Sequence, residues 1–243
     1  MLRCIMAEYQ KLKRTFTKKI VWIAPIITML LCAVLGAGNS FQNGSYNWWY
    51  VMILPGALTM ICAGVIQKDM KKLNYRSILG LPVDLSQLWI GKIGVCLWLF
   101  FISCLIFFIG VTFGGFVFKS SISFAHSTEG SLILFVTFLW QIPLCLFLTD
   151  RLGMFATIFI NLAGNMLGTI FAAKASLWWA FTYAIPARVM CPVIKVLPNG
   201  LPVPTNDPLV GRSVILPGVM ISIVLFIILS AFTSLWSRNL EVK

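Results

Sequence analysis

Apolar residues run almost without interruption near residues 20–38, 49–66, 93–118, 130–149, 153–173 and 214–236, with polar residues collected between the runs. A helix needs about 20 apolar residues to cross a hydrocarbon layer of about 30 Å, and each run approaches or exceeds that length. Helices also satisfy their own backbone hydrogen bonds, which nothing else in lipid would do. The pattern therefore predicts an all-α integral membrane protein with six transmembrane helices in a single domain over residues 1–243. The third run is longer than a span requires and is expected to tilt or to emerge on the far side. The fourth and fifth meet at Thr149, Asp150, Arg151 and Leu152, which forces a tight antiparallel hairpin. The first run follows a basic stretch and ends in small residues, as a cleavable signal sequence does. It is longer than a typical signal core and is read as a span.

Three segments outside the runs carry their own patterns. In residues 1–19, Leu2, Ile5, Met6, Tyr9, Leu12 and Phe16 recur at helical spacing opposite Lys11, Lys13, Arg14 and Lys18, which describes a basic amphipathic helix lying on the membrane surface. Residues 67–92 make a loop far longer than two adjacent spans need. Its charged stretch, Lys68, Asp69, Lys71, Lys72, Tyr75 and Arg76, has room for about two helical turns. Gly80 and Pro82 then break the helix, and Asp84 or Ser86 is placed to cap the next one, which leads through Trp89 and Lys92 into the third span. Residues 174–213 are too apolar for water and too broken by Pro186 and Pro192 for one straight span. They predict a reentrant helical hairpin that packs on protein, ending in the turn-rich Pro198–Pro208 stretch.

Charge then orients the bundle. Nineteen Lys and Arg against seven Asp and Glu give a net charge of +12, which in a soluble chain would point to nucleic acid. Here 59% of residues are hydrophobic and 11% charged, whereas soluble domains carry roughly 25% charged residues, so a nucleic-acid partner is not expected. With the N-terminus inside, fourteen of the basic residues fall on the cytoplasmic side, and five, Lys119, Lys174, Arg188, Lys195 and Arg212, fall outside. Short positively charged loops stay in the cytoplasm, so both termini and the 67–92 loop are predicted there. Trp22, Trp89 and Trp236 then mark the inner interface. Trp48, Trp49, Trp178 and Trp179 mark the outer one, where with Phe181 and Tyr183 they offer aromatic surface either to lipid or to an amphipathic ligand.

Within the fifth run, Asn161, Gly164, Asn165 and Gly168 share one helical face. Small residues let another helix approach while amides bond across the contact, so this face is expected at a subunit interface, with an internal contact as the alternative. Gly110 and Gly114 repeat the spacing in the third run. No GxxxxGK[ST], HExxH or GxSxG motif occurs, and apart from Asp150 and Arg151 at a turn the spans lack ionisable residues. The seven cysteines show no metal-ligand spacing and read as packing residues, with Cys191 alone placed outside. His126, the single histidine, falls in an external loop. No catalytic residue, metal site or cofactor is expected in this chain.

The order of these features resembles the permease subunits of type-2 ABC exporters, in particular those of lantibiotic self-protection transporters of the MutE/EpiE type. The passage Arg76, Ser77, Ile78, Leu79, Gly80, Leu81, Pro82, Val83, followed by Trp89, Ile90, Gly91, Lys92 and Ile93, is similar to the short helix, Leu-Pro and Gly-Lys entry to the third span in that family. The resemblance implies a cytoplasmic coupling helix around residues 68–76 that docks in an ATPase. It also implies that ATP and Mg belong to that partner, present in two copies, and that a second related permease completes a bacterial cytoplasmic-membrane complex. The implied function is expulsion of a lantibiotic or related antimicrobial peptide from the membrane. Export of another amphiphile, a drug or lipid, and sequestration of a toxin without transport remain alternatives.

Overall fold

The computed structural model describes residues 2–13, 15–35, 40–73, 84–119, 121–172, 178–204 and 207–239. Among the described residues six helices are long and apolar enough to cross a membrane: Phe16–Leu35, Phe41–Asp69, Leu85–Val117, Phe124–Leu152, Met154–Ala172 and Arg212–Trp236. They coincide with the six apolar runs, so the chain is a multi-pass membrane protein. The N-terminal helix Leu2–Lys11 and the end of the sixth span at Trp236 both pack against the beginning of the third span, at the end of the bundle called the termini face below.

The second span is the centre of the bundle, because its surface is the most completely covered of the six. It packs against the first, third, fourth and fifth spans. Gly64 permits the closest of these approaches, since a Cβ there would lie 2.0 Å from the Thr17 Oγ1 of the first span. The second span is not one uniform helix. Residues Trp49–Ile53 form a π-helical turn between Phe41–Trp48 and Leu54–Leu73. Pro55 follows this turn without an N–H to return to it, and its own carbonyl accepts from Thr59 Oγ1 at 2.8 Å. The fourth span bends for a related reason. Pro143 has no N–H for the Leu139 carbonyl, which instead accepts from the Ile142 N–H at 3.0 Å, tightening the turn between Phe124–Phe138 and Gln141–Leu152.

The third span runs for 33 residues, which at 1.5 Å per residue is about 50 Å and exceeds the hydrocarbon thickness. Its first turn is capped as the sequence predicts, with the Asp84 side chain accepting from the Ser86 N–H at 2.9 Å. That backbone bond also holds the Asp84 carboxyl below its ordinary pKa. At the other end Gly110, Gly114 and Gly115 make room for Met29, Phe41 and Gln42, so the third-span glycines receive the first and second spans. On the far side the Gln42 carboxamide oxygen accepts from the Ser121 and Ile122 N–H groups at 2.8 and 2.9 Å, fixing the connection into the fourth span.

Between the fifth and sixth spans the helix Ile185–Ile194 is buried along its whole length against protein. Pro186 occupies its first turn, where a missing N–H costs nothing, and Lys195 ends it in a left-handed conformation at φ 56°. The return limb is irregular: a bridge pairs Val196 with Pro202, and short 3₁₀ turns span Pro208–Val210 and Arg212–Val214. The described part of residues 174–213 is thus one helix with a non-helical return, not two helices. Cys191 lies in this helix and is buried, which pushes its thiol up to about 11.

Candidate functional site

Ionisable side chains gather at one buried place, on the termini face. The N-terminal helix Leu2–Lys11 lies against the beginning of the third span. Its approach is possible because Gly91 and Gly94 carry no side chain. A Cβ at Gly91 would meet Cys4 at 3.2 Å, and one at Gly94 would meet Ile5 at 2.8 Å. Between these glycines Lys92 points under the N-terminal helix and is 3% exposed. Glu8 comes from the helix above at 2% exposure, and Asp69 comes from the end of the second span at 7%.

These groups form a closed network. Lys92 Nζ donates to Glu8 Oε2 at 3.1 Å and to Asp69 Oδ2. Lys11 Nζ donates to Glu8 Oε1 at 2.6 Å and to Asp69 Oδ1 at 3.1 Å. Two ammonium groups and two carboxylates cancel in charge, and each carboxylate oxygen receives one donor. Burial alone would depress the pKa of Lys11, but the neighbouring Glu8 and Asp69 outweigh it and hold that pKa above its ordinary value of 10.5. Lys11 therefore supports docking fully at every pH below 10.5, and its contribution is lost only as pH rises through the raised value.

The network joins three elements, of which two, the second and third spans, flank the 67–92 segment. Aromatic contacts extend the same face. Trp89 meets Trp236 of the sixth span edge-on at 5.5 Å, and the Arg151 guanidinium lies 4.7 Å over the Trp236 ring. A displacement of the 67–92 segment would thus be felt by the N-terminal helix and by the ends of four spans.

Of the residues expected to contact an ATPase, Lys68 and Asp69 lie on the second span's own helix, which continues to Leu73. The backbone of Lys71 and Lys72 prolongs it, while their side chains, and all of Tyr75 and Arg76, lie outside the described residues. Asp69 is committed to Lys11 and Lys92. The pairing of Glu8, Lys11 and Lys92 escaped the pattern of apolar runs. A signal was present: Glu8 and Asp69 are the two acidic residues preceding Asp84 in a strongly basic chain, and both sit in the network.

The small-and-amide face of the fifth span is filled from within the chain. Asn161 donates to Thr59 Oγ1 at 2.9 Å and to the Pro55 carbonyl at 3.2 Å. Asn165 and Gln141 exchange two amide hydrogen bonds at 3.2 and 3.3 Å. Gly164 and Gly168 lie against Tyr183 at the entry to the buried helix. Of the two contacts the sequence allows, the fold displays the internal one. Gly168→Ala is expected to destabilise the chain by about 1–3 kcal/mol, because its Cβ would sit 2.3 Å from the Tyr183 carbonyl oxygen. Gly164→Ala should cost less, since the ring it meets at 2.9 Å can move. Thermal unfolding in detergent checks the order. Unchanged melting for both with a weakened complex would place this face between subunits.

The far-side aromatics divide. Trp49 is buried and stacks on Phe107 at 4.5 Å, and Trp178 is buried as well. Tyr183 packs on Trp140 at 4.8 Å and on Phe181 at 5.7 Å. Trp48 and Trp179 remain largely exposed.

A bundle of six apolar helices, with ionisable side chains clustered at one end, defines a multi-pass membrane protein. The model of the ABC-2 family transporter protein matches residues 4–173, well over half of the chain, and the chain belongs to that family. No curated protein and no solved structure matches it. An ABC ATPase is the general partner of such a permease.

Proposed function

We propose that this chain is a permease subunit of an ABC exporter that expels a lantibiotic or related antimicrobial peptide from the bacterial cytoplasmic membrane. The termini face is the cytoplasmic one, and residues 67–92 receive the ATPase. The observation that carries this reading is the buried Glu8–Lys11–Asp69–Lys92 network. It clamps the N-terminal helix to the two spans on either side of the loop, so a push on the loop displaces a connected set of helices rather than a single one. A peptide cargo is supported by the resemblance of the 76–93 passage and by Trp48 and Trp179, exposed on the opposite face where an amphipathic peptide enters the outer leaflet.

Two copies of the ATPase would hold ATP and Mg, and a second related permease would complete the complex. The purified chain alone is expected to show no ATP turnover, having no P-loop. The full complex in lipid should hydrolyse ATP faster when a lantibiotic is added, and cells expressing it should tolerate more of that peptide. Turnover by the lone chain would overturn the division of labour. A complete complex that neither protects cells nor responds to lantibiotics would overturn the cargo.

A further inference from the structure

The far face holds a cleft that none of the contacts above explains. It lies between the end of the first span at Cys32 and Leu35, the first helical segment of the second span and the turn after the buried helix, with a volume of about 250 Å3. Ser40, Asn43, Gly44, Asn47 and Trp48 fall on one side of the Phe41–Trp48 helix and line it. The opposite side of that helix, with Phe41, Gln42, Ser45 and Tyr46, is buried in the bundle. Asn199 closes the cleft from the turn.

The turn is held in place rather than loosely apposed. Leu197 N–H donates to the Leu201 carbonyl and Gly200 N–H to the Leu197 carbonyl, both at 2.8 Å. Gly200 takes φ 87°, a conformation side chains disfavour. Asn47 Nδ2 pins the turn to the second span by donating to the Pro198 carbonyl at 2.9 Å. The cleft is therefore preformed.

Its polar groups are only partly used. Asn43 accepts from Ser121 through Oδ1, and Asn199 accepts from the Leu201 N–H through Oδ1. Among the described residues, their Nδ2 groups and the Asn47 Oδ1 meet no protein partner. The lining thus carries amide donors from Asn43 and Asn199, an amide acceptor from Asn47, and the Trp48 ring. Among the described residues no charged side chain lines the cleft, which favours a neutral group there over an ionic one. A volume just below the roughly 300–1,000 Å3 of small-molecule sites suits a short stretch of a longer ligand.

We infer that this cleft binds an uncharged stretch of peptide, whose alternating carbonyl and N–H groups meet the asparagines while an apolar side chain rests on Trp48. The site rests on the reading of the cargo as a peptide. It assigns recognition to neutral backbone, leaving the cationic residues of the peptide in solvent.

The test uses the full chain in lipid nanodiscs with nisin as the probe. Gly44 opens onto the cleft, with Cys32 Sγ 3.8 Å from an added Cβ, so Gly44→Ala fits by ordinary contact and Gly44→Leu fills the space. Gly44→Leu and Asn43→Leu are each expected to weaken nisin binding by about tenfold, the effect of losing one to two hydrogen bonds, with Gly44→Ala near wild type and melting unchanged. A photo-crosslinking residue at position 201 should capture nisin, whereas one at lipid-facing position 216 should not. Wild-type binding with undiminished affinity in both Leu variants would overturn the cleft and leave the cargo reading standing. A wild-type chain that binds no nisin, in a complex that gives no protection, would overturn both.

Discussion

Lys92→Met is expected to be the most damaging single substitution in the chain. Among the described residues it would leave the Glu8 and Asp69 carboxylates buried with Lys11 as their one remaining cation. Breaking a buried pair by removing one partner costs about 3–5 kcal/mol, whereas whole domains are stable by only about 5–15 kcal/mol. The melting temperature should fall by on the order of 10 °C. The N-terminal helix should also undock, so trypsin would reach Lys11 and Lys13 long before the bundle is cut. Removing the opposing charge as well separates this account from simple packing loss. Lys92→Met with Asp69→Leu leaves the Glu8–Lys11 pair intact and should recover most of the lost stability, although each change alone is harmful. A double variant no better than Lys92→Met would show that the network's charge balance does not hold the helix.

That network also marks the limit of what a linear pattern reveals. The six spans were legible because hydropathy is a local quantity: twenty apolar residues in lipid have essentially one conformation open to them. The cap at Asp84 was legible for the same reason, its partner being two residues away. Lys92 and Glu8 are separated by 84 residues, and sign alone places Lys92 among the loop cations that orient the chain. Only the fold shows that it is buried and paired with Glu8 and Asp69, where it holds the N-terminal helix. Arg188 repeats the lesson on the far face. Counted as an external charge, it is buried and donates to the Leu209 carbonyl at 2.8 Å.

The aromatic residues were located but not sorted. Trp48 and Trp49 are neighbours, yet the second is stacked inside the bundle and the first faces out, because the π-helical turn begins between them and successive helical positions point about 100° apart. Likewise Asn161 and Asn165 could serve an internal or an external partner equally well. Within the chain, Thr59 on the second span and Gln141 just beyond the bend of the fourth take up these amides. Interhelical amide bonds of this kind contribute about 0.6–1.7 kcal/mol each in membranes, enough to fix the register of spans that share no hydrophobic driving force.

Reversing Lys71, Lys72 and Arg76 to Glu is expected to abolish peptide protection while leaving the chain inserted and folded. The second-span helix continues past Asp69 to Leu73, so the first two positions ride on an element clamped to Lys92 and Lys11 and cannot yield independently of it. Among the described residues the Glu8, Lys11, Asp69 and Lys92 groups already supply one donor to every carboxylate oxygen, so the melting temperature is expected to stay close to wild type, in contrast to Lys92→Met. An ATPase surface complementary to this basic stretch would instead face three new carboxylates, and like charges across an interface cost several kcal/mol. Capture of the ATPase by the tagged permease should fall sharply, and ATP hydrolysis should no longer rise when peptide is added. Loss of positive charge can also disturb insertion, so the matching triple Ala variant is measured beside it, with cysteine accessibility reporting the side of each loop. Ala removes attraction without adding repulsion, and it should weaken capture less than Glu and mainly at low salt, since high salt already screens the attraction in the wild type. If both variants insert correctly, retain the ATPase and still protect cells, the loop only orients the chain. Coupling must then pass elsewhere on the face that carries Glu8, Asp69 and Lys92.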